Sequence, residues 1–425
     1  TTTLLRNTAV DMPPPILNLY RWPGHQAPFK TQRMTAAFLT MHKRAHVHND
    51  IGTGKTRSAL FAFDWLRQTG KAKRALIVAP LSTLSIVWQA EVAKYFGHLK
   101  CKVLHGTKER RLQRLTEAAD IYVVNHDGVG VIEKELRARA DIDLVIIDEA
   151  AVYRNAGSVR WKVMNRVLQG REYVWAMTGS PTPQAVTDAY GQAKLITPWT
   201  VPRSFKQFQD SCMTQVSQFR WLPKPNAKEI ARQALSPSIR FTREETVDLP
   251  PVTYQDRVLQ LSPVAKKLYD ELRRHARLQV ANGDVRAENA GVLMSKLLQI
   301  ACGWVYYTNG SDRLTYTVPC QSRLDTLVAT LDETDRKVIV FVPYRNATVG
   351  VHKHLTEQGI AAEMVHGDVS TTERNRIFGA FQGKGGPRVL VAHPKAMAHG
   401  LTLTEANVIV WFAPEMSLET YEQAN

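Results

Sequence analysis

Residues 49–56 read NDIGTGKT, a glycine-rich loop that ends in Gly-Lys-Thr. In such a loop the glycines let successive backbone N–H groups turn toward a phosphate, because no Cβ stands in the way. Asn49 stands where the full signature has its first glycine, so the loop alone leaves a chance glycine turn open. The residues expected to bind a nucleoside triphosphate here are Asp50, Ile51, Gly52, Thr53, Gly54, Lys55 and Thr56. Lys55 is expected to contact the β- and γ-phosphates, and the Thr56 hydroxyl to bind Mg²⁺.

Residues 144–149 read LVIIDE, four apolar residues followed by two carboxylates. The apolar run is typical of a strand buried on both faces of a parallel sheet, and ligands bind beyond the carboxyl ends of such strands. We expect Asp148 to hold Mg²⁺ with Thr56, and Glu149 to orient and deprotonate the attacking water. With the glycine-rich loop upstream, the pair predicts a P-loop nucleoside triphosphatase whose catalytic residues are Lys55, Asp148 and Glu149.

Length and composition narrow the class of protein. At 425 residues the chain is long enough for two domains. Lys and Arg number 55 against 39 Asp and Glu, and a formal charge of +16 points to a polyanionic partner or, failing that, to a merely soluble basic surface. Four widely spaced cysteines favour neither disulfides nor zinc, and so a reducing compartment. With no apolar run near 18 residues and no signal peptide, we expect a cytoplasmic protein and no membrane partner.

The apolar pattern predicts the architecture, which is α/β with two tandem parallel sheets. Apolar runs alternate with helical stretches at 75–79, 121–124, 144–147 and 173–177, and again at 338–342, 361–365, 389–391 and 408–412. Between these sets we expect a linker at 249–251 and a helical region over 263–302 that is broken at 282–284. The predicted domains are an irregular leader (1–27), a first lobe (28–245) with a helical insertion at about 183–245, and a second lobe (246–425).

Several further motifs occur in a fixed order, at residues 78–91, 125–127, 148–155, 178–181, 240–251, 321–324, 366–374 and 400–404. Together with the loop, which also lacks the first glycine in that family, they resemble the motifs of the Swi/Snf-like ATPases of helicase superfamily two. The resemblance implies two RecA-like lobes that use ATP and Mg²⁺. It implies that Gln32 reads the adenine, and that Thr178, Gly179 and Ser180 couple the nucleotide to a DNA-binding face.

The chain departs from the family pattern at two points. Ala151 replaces a histidine, which is expected to weaken this coupling without removing the metal ligand or the base. Residues 421–425 resemble the opening of the last family motif, whose arginines would follow. Loss of such an arginine costs about 10³–10⁵ in rate, so we expect this sequence to bind ATP but to hydrolyse it poorly. Because the sequence also opens with Thr1, we expect the natural protein to be longer.

The resemblance also implies a DNA strand lying across both lobes. Small hydroxyls, amides and basic side chains would contact its phosphates. The candidates are Ser82, Thr83, Asn125 and His126 on the first lobe, and Arg345, His366, Lys395 and Thr404 on the second. Arg345 is equally open to reading as a solvated loop cation, and His366 as a capping or packing histidine. No base-reading motif such as a helix-turn-helix is present, so binding should be sequence-independent and salt-dependent.

The predicted function is ATP-dependent translocation along duplex DNA by a monomeric enzyme. One alternative is a fork-remodelling or branch-migrating helicase that unwinds or reanneals strands. A second alternative is a nucleotide-regulated DNA-binding protein with weak or lost hydrolysis, which Ala151 favours and intact Lys55, Asp148 and Glu149 oppose.

Overall fold

The chain divides into two units, Thr1–Pro251 and Val252–Asn425. The computed structural model describes residues 13–217, 220–246, 252–280, 283–309, 312–397, 403 and 405–425. The predicted linker at 249–251 and the predicted DNA contact Thr404 lie outside these residues. The boundary between the units falls a few residues after the one predicted at 245.

A parallel sheet of seven strands forms the centre of the first unit, in the order β3-β4-β2-β5-β6-β1-β9. The predicted bounds of β2 and β6 are those observed, and β4 and β5 run one residue further than predicted. The strands of the unit are β1 (Arg44–Val47), β2 (Ala75–Ala79), β3 (Cys101–Val103), β4 (Ile121–Asn125), β5 (Leu144–Asp148), β6 (Tyr173–Met177), β7 (Met213–Ser217), β8 (Arg220–Pro223) and β9 (Ser238–Ile239).

Both faces of this sheet are covered, which explains the uninterrupted apolar runs. Ile77 and Ile146 belong to a core cluster on one face, and their neighbours Leu76 and Val145 belong to the cluster on the other. All four side chains are fully buried. Because successive residues of a strand point to opposite faces, a sheet buried on both sides needs an apolar residue at every position.

Helices supply the two covering layers of the first unit. Residues of α2 and α3 belong to one core cluster, and residues of α6, α7 and α8 belong to the other. The helices are α1 (Ile16–Leu19), α2 (Lys30–Met41), α3 (Lys55–Gln68), α4 (Ala90–Tyr95), α5 (Lys108–Thr116), α6 (His126–Val131), α7 (Glu133–Ala138), α8 (Val159–Val167), α9 (Asp188–Ile196), α10 (Phe205–Cys212), α11 (Ala227–Ala234) and α12 (Arg243–Thr246). A π-helix (Leu84–Gln89) and two 3₁₀ helices (Ala150–Tyr153 and Pro198–Thr200) complete the set.

The segment predicted as an irregular leader is partly ordered against the core. It contains α1, and the Tyr20 hydroxyl donates a 2.5 Å hydrogen bond to the buried carboxylate of Asp64 on α3. The ring of Trp22 packs edge-on against Phe61 at 5.0 Å between centroids. The prolines of this segment predicted irregular backbone, whereas its aromatic side chains bind it to α3.

The helical insertion predicted at about 183–245 also contains strands. Strands β7 and β8 form an antiparallel hairpin, and β9 joins the main sheet beside β1. Most side chains of β7 are exposed, so the hairpin carries no apolar alternation that a sequence could display. Strand β9 has only two residues, too few for a periodic pattern.

The second unit contains the predicted second parallel sheet, in the order β15-β16-β14-β17. It also contains an antiparallel sheet, β10-β11-β12-β13, which the sequence did not predict. The strands are β10 (Arg277–Val280), β11 (Gly283–Arg286), β12 (Trp304–Asn309), β13 (Asp312–Thr317), β14 (Lys337–Phe341), β15 (Ala362–Val365), β16 (Val389–Ala392) and β17 (Ala406–Trp411).

The region predicted to be helical over 263–302 is two helices separated by the hairpin β10–β11. That hairpin buries Leu278, Val280 and Val285 against the helices, in a pattern too short to distinguish from a helix turn. The helices of the unit are α13 (Pro263–His275), α14 (Ala290–Cys302), α15 (Gln321–Asp332), α16 (Arg345–Glu357), α17 (Thr371–Gln382), α18 (Pro394–Met397) and α19 (Leu418–Ala424). Among the described residues, no helix combines the length and apolar character needed to cross a lipid bilayer.

Candidate functional site

The glycine-rich loop (residues 49–56) follows β1 at the carboxyl end of the first sheet. Gly52 and Gly54 have φ angles of 84° and 79°, in the left-handed region that favours glycine. A Cβ on Gly54 would lie 1.9 Å from Nε2 of Gln32. The backbone angle therefore favours glycine at position 54, immediately before α3, and a side chain there would displace the Gln32 amide.

Gln32 lies beside the loop because α2 brings it there. Its side chain is 3% exposed, and its Oε1 accepts a 3.0 Å hydrogen bond from the backbone N–H of Phe29. The amide is thereby held next to Gly54. This position suits the adenine-reading role that the resemblance implies, and that role stays a prediction.

The Lys55 ammonium is held by the backbone of its own loop. It donates to the carbonyl oxygens of Asn49 at 2.7 Å and Asp50 at 3.0 Å. Burial lowers the pKa of Lys55, and the carboxylates of Glu149, Asp148 and Asp50 partly oppose that shift. Of these groups the ammonium would attract a phosphate, together with the N–H groups of the loop, and the neighbouring carboxylates suit a divalent cation.

Asp148 and Glu149 emerge at the carboxyl end of β5, next to β6, where Asp148 pairs in register with Met177. One oxygen of Asp148, Oδ1, accepts the backbone N–H of Glu149 at 3.1 Å, and Oδ2 accepts the indole N–H of Trp88 at 3.0 Å. Glu149 has a left-handed backbone, with φ 50° and ψ 52°. Such strain in a residue with a side chain is stored most often at functional sites.

Thr178 connects the loop to Glu149. Its N–H donates to the carbonyl of Val47 at 3.0 Å, and its hydroxyl donates to Glu149 Oε2 at 3.4 Å. The same hydroxyl accepts the N–H of Ser180 at 3.3 Å. A Cβ on Gly179 would lie 3.3 Å from the Ile51 side chain. The neighbouring ends of β1, β6 and β5 thus bring together three motifs that are far apart in the sequence.

Oxygen donors at this edge fit a hard divalent cation. Thr56 is the second residue of α3, and Asp148 ends β5. A hydroxyl and a carboxylate suit Mg²⁺, which is usually bound through one or two carboxylates with substrate phosphates and water. Within the described parts of the chain, no group of three or more His, Cys, Asp or Glu side chains could hold a metal ion.

A segment that sequence reasoning missed runs alongside the loop. The N–H groups of His48 and Asp50 donate to the carbonyls of Ile239 and Phe241 at 2.8 and 2.9 Å. The Asp50 carboxylate in turn accepts from Arg240 at 3.5 Å and from the N–H of Arg243 at 3.4 Å. In the sequence, Arg240 is marked only as the first residue of the motif at 240–251. No local signal links residues 190 positions apart.

Four side chains on the first unit were predicted to contact nucleic acid, and one of them is exposed. Ser82 is exposed in the turn after β2, whereas the buried Thr83 hydroxyl donates to the carbonyl of Pro80 at 3.0 Å. Asn125 accepts a 3.1 Å hydrogen bond from the buried guanidinium of Arg111. His126 Nδ1 lies 3.2 Å from the hydroxyl of Tyr153. Their role as nucleic-acid contacts stays a prediction.

Three of the side chains predicted to contact nucleic acid on the second unit lie at one edge of its parallel sheet. They follow β14, β15 and β16. Ala392, the last residue of β16, is in register with the last residues of β14 and β15. Arg345 forms an ion pair with Asp368, and both side chains are 58% exposed. His366 is 8% exposed, and its Nδ1 accepts the N–H of Asp368 at 3.4 Å. Lys395 is exposed on α18.

The chain matches two protein-family models and is similar to known proteins. The family model of the SNF2-related domain matches residues 41–302, and that of the helicase conserved C-terminal domain matches residues 322–425. An uncharacterised ATP-dependent helicase of Mycoplasma genitalium is 25% identical over 369 residues, which cover 86% of this chain and 34% of that protein. Protein p41 of Acyrthosiphon pisum secondary endosymbiont phage 1 is 23% identical over 399 residues, covering 90% of this chain and 84% of p41.

The chain thus spans about a third of the length of the Mycoplasma relative, as the 34% coverage states. Among solved structures, the SWI2/SNF2 ATPase core of Sulfolobus solfataricus in complex with dsDNA aligns with 92% of this chain and 83% of that chain. Its TM-score is 0.48 and its sequence identity is 19%. Since the SNF2-related model alone matches more than half of the residues, the chain belongs to the SNF2-related family of superfamily-two helicase-like ATPases, and its two parallel sheets are RecA-like lobes of the P-loop type.

Proposed function

We propose that this chain is the ATPase core of a translocase that moves along duplex DNA. The observation that carries the proposal is the hydrogen bond from the Thr178 hydroxyl to the Glu149 carboxylate. The backbone N–H of Thr178 also donates to the carbonyl of Val47, which lies just before the glycine-rich loop. A movement at the phosphates can reach the proposed base through one side chain. Such a connection is what a cycle of binding and hydrolysis needs in order to drive motion.

In the proposed reaction Lys55 exchanges its loop carbonyl partners for phosphate oxygens of ATP. Glu149 orients the attacking water and accepts its proton, and Thr178 holds the carboxylate in the required direction. Thr56 and Asp148 would hold Mg²⁺, which supplies charge neutralisation at the phosphates when bound. Gln32 would contact the adenine from its position against Gly54.

The proposed partner is the phosphate backbone of DNA. The formal charge of +16 supports a polyanion, and the exposed Ser82, Arg345 and Lys395 offer a hydroxyl and two cations. The solved relative from Sulfolobus solfataricus is described as a complex with dsDNA. Backbone contacts carry no base information, so the proposed translocase is indifferent to sequence. We also propose that it acts as a monomer.

Two assays on the natural full-length protein test the proposal. Phosphate release is measured without nucleic acid and with single-stranded DNA, duplex DNA or RNA, and we expect the largest stimulation with duplex DNA. Displacement of a triplex-forming third strand then reports movement along an intact duplex, with Lys55→Ala as the inactive control. ATP-dependent displacement of the third strand without strand separation is the expected result.

Other outcomes of the same assays would overturn the proposal in favour of a competing function. Release of a labelled strand from a forked duplex, without displacement of a third strand, would identify a fork-remodelling helicase. Tight DNA binding with no stimulated phosphate release would identify a nucleotide-regulated binding protein.

A further inference from the structure

The π-helix Leu84–Gln89 lies directly after the turn that carries Ser82 and Thr83. Such helices are rare, and they occur frequently at functional sites. This one carries Trp88, whose side chain is completely buried. Its indole N–H donates to Asp148 Oδ2 at 3.0 Å, across 60 positions of sequence. Trp88 has no role in the function proposed above.

The indole fixes the direction of the Asp148 carboxylate. Oδ1 accepts the N–H of the next residue, Glu149, at 3.1 Å, and Oδ2 accepts the indole. A carboxylate held through both oxygens cannot rotate freely. Hydrogen-bond partners that stand behind a metal ligand tune its affinity, and their loss typically costs about 10–100-fold in metal binding or activity.

The stretch of chain that carries Trp88 also contacts α3, the helix that follows the glycine-rich loop. Glu91, three residues after Trp88, accepts two hydrogen bonds from Arg57 of α3, at 3.0 and 3.3 Å. The Arg57 guanidinium also lies over the ring of Tyr95, at 3.7 Å from its centroid. Both side chains of the Arg57–Glu91 pair are largely buried, which makes it more than an exposed surface contact.

The N-terminal end of this stretch, before the π-helix, is a hydrogen-bonded turn. The N–H and the hydroxyl of Thr83 both donate to the carbonyl of Pro80, each at 3.0 Å, and Ser82 is exposed at the tip. Residues 82–91, which we call the bridging segment, therefore run from an exposed turn to both the metal-binding carboxylate and the phosphate-binding helix.

We propose that Trp88 is a positioning residue that holds Asp148 for Mg²⁺ and links it, through the π-helix, to the exposed Ser82 turn. This inference rests on the proposed function, since it takes Asp148 as the metal ligand and the turn as a nucleic-acid contact. Movement of the turn shifts the indole, and the indole shifts the carboxylate. Coupling of this kind is reciprocal. If the bound metal–nucleotide complex changes the affinity for DNA by a certain factor, bound DNA changes the affinity for the metal–nucleotide complex by the same factor.

Trp88→Phe tests the inference because it removes the N–H and keeps an aromatic ring. Binding of fluorescent mant-ADP is titrated with Mg²⁺, so that the readout is metal-dependent binding and not turnover. We expect the half-saturating Mg²⁺ concentration to rise about 10-fold, with binding of metal-free mant-ADP unchanged. The factor by which Mg²⁺–ADP changes duplex affinity should fall toward one.

Trp175→Phe is the matched control. Trp175 is also fully buried in the first unit, and its indole N–H donates to a backbone carbonyl, that of His42, at 3.0 Å. We expect its Mg²⁺ dependence to equal that of the unmodified protein. If Trp88→Phe does not fold, as judged by circular dichroism, Trp88→Leu, which has no side-chain donor, is titrated in its place.

The outcomes separate this inference from the function on which it rests. Equal Mg²⁺ half-saturation in Trp88→Phe and Trp175→Phe would overturn the positioning role, while the proposed ATPase stands. Absence of Mg²⁺-dependent mant-ADP binding in the unmodified protein would overturn the proposed function and this inference together.

Discussion

The side-chain oxygen of Asn49 accepts a 3.0 Å hydrogen bond from the backbone N–H of Phe241, which lies 192 positions later in the chain. The Asn49 amide nitrogen donates to the hydroxyl of Thr35 on α2 at 2.8 Å. Asn49 is 1% exposed, and its bond to Thr35 is buried while its bond to Phe241 is partly buried. The first residue of the glycine-rich loop therefore fastens α2 and the segment after β9 to the loop.

Asn49→Ala is expected to lower the free energy of unfolding by about 1–3 kcal/mol, because the half-buried N–H of Phe241 loses its acceptor and the buried Thr35 hydroxyl loses one of its two partners. Urea unfolding monitored by tryptophan fluorescence gives this value. Asn18→Ala, at an exposed position on α1, is the control and should change stability little. A change in Asn49→Ala no larger than that in the control would contradict a fastening role.

Much of the first unit could be predicted from sequence, for a physical reason. Strands β2 and β6 are buried on both faces, so every residue is apolar and the run has the length of the strand. Asp148 could be predicted to lie at a strand end for the same reason. A sequence does not show which distant residue becomes a hydrogen-bond partner in the folded chain. The bond between Phe241 and Asn49 is such a case, because it depends on the two-residue strand β9.

The antiparallel sheet of the second unit escaped prediction for a different reason. Its hairpin β10–β11 follows α13 and precedes α14, and each of its strands has only four residues. Windows of this length do not distinguish a strand from a helix turn. The role of Trp88 was equally hidden, since a buried tryptophan in a helical segment most often means core packing.

Lys55→Ala and Glu149→Gln should separate binding from turnover. Lys55→Ala removes the ammonium of the loop, and we expect nucleotide affinity to fall about 10–100-fold, the value of a hydrogen bond to a charged group. Glu149→Gln keeps the shape and removes the base, so binding is retained while turnover falls about 10²–10⁴-fold. Equilibrium binding and phosphate release on the same preparations are the measurements. Normal turnover in Glu149→Gln would refute the base assignment.

Thr178→Val tests the contact between the loop and the base. The substitution keeps the branched shape and removes the hydroxyl that donates to Glu149 at 3.4 Å. We expect kcat to fall roughly 10-fold with little change in KM, since about 1.5 kcal/mol is a typical value for such a bond. Thr69→Val removes an exposed hydroxyl at the end of α3 and is the control. Equal kcat in the two variants would show that the hydroxyl does not act on Glu149.

Salt should weaken DNA binding strongly. If the contacts are made to phosphates, the logarithm of the affinity falls linearly with the logarithm of the salt concentration, by about 0.9 for each phosphate neutralised. Lys395→Gln should lower the affinity and reduce the slope by about one, because Lys395 is an exposed cation at the edge of the second parallel sheet. Fluorescence anisotropy at several salt concentrations measures both. A flat plot for the unmodified protein would reject a phosphate-dominated interface.

Acid should destabilise the first unit through two histidines in the segment that leads into the glycine-rich loop, one on β1 and one directly after it. His46 and His48 are 0% and 8% exposed, and their rings lie 5.7 Å apart. Burial, and the nearby charges of Arg240 and Lys55, lower the pKa of His48 to about 4. Burial and the neighbouring His48 lower the pKa of His46 well below its usual value.

The direction of the pH effect follows from these depressed pKa values. Above about pH 7 both histidines are neutral in the folded and unfolded chains, so they contribute no pH dependence. As the pH falls below about 6.5, the unfolded chain takes up protons that the folded chain refuses, and each histidine costs about 1.4 kcal/mol per pH unit. This loss ends for His48 near pH 4, where its folded form is protonated too.

Urea unfolding at pH 7, 6 and 5 should therefore show a smaller loss of stability in His48→Gln than in the unmodified protein. In the exposed control His105→Gln the loss should be unchanged, and parallel loss in all three proteins would assign the acid sensitivity to other groups.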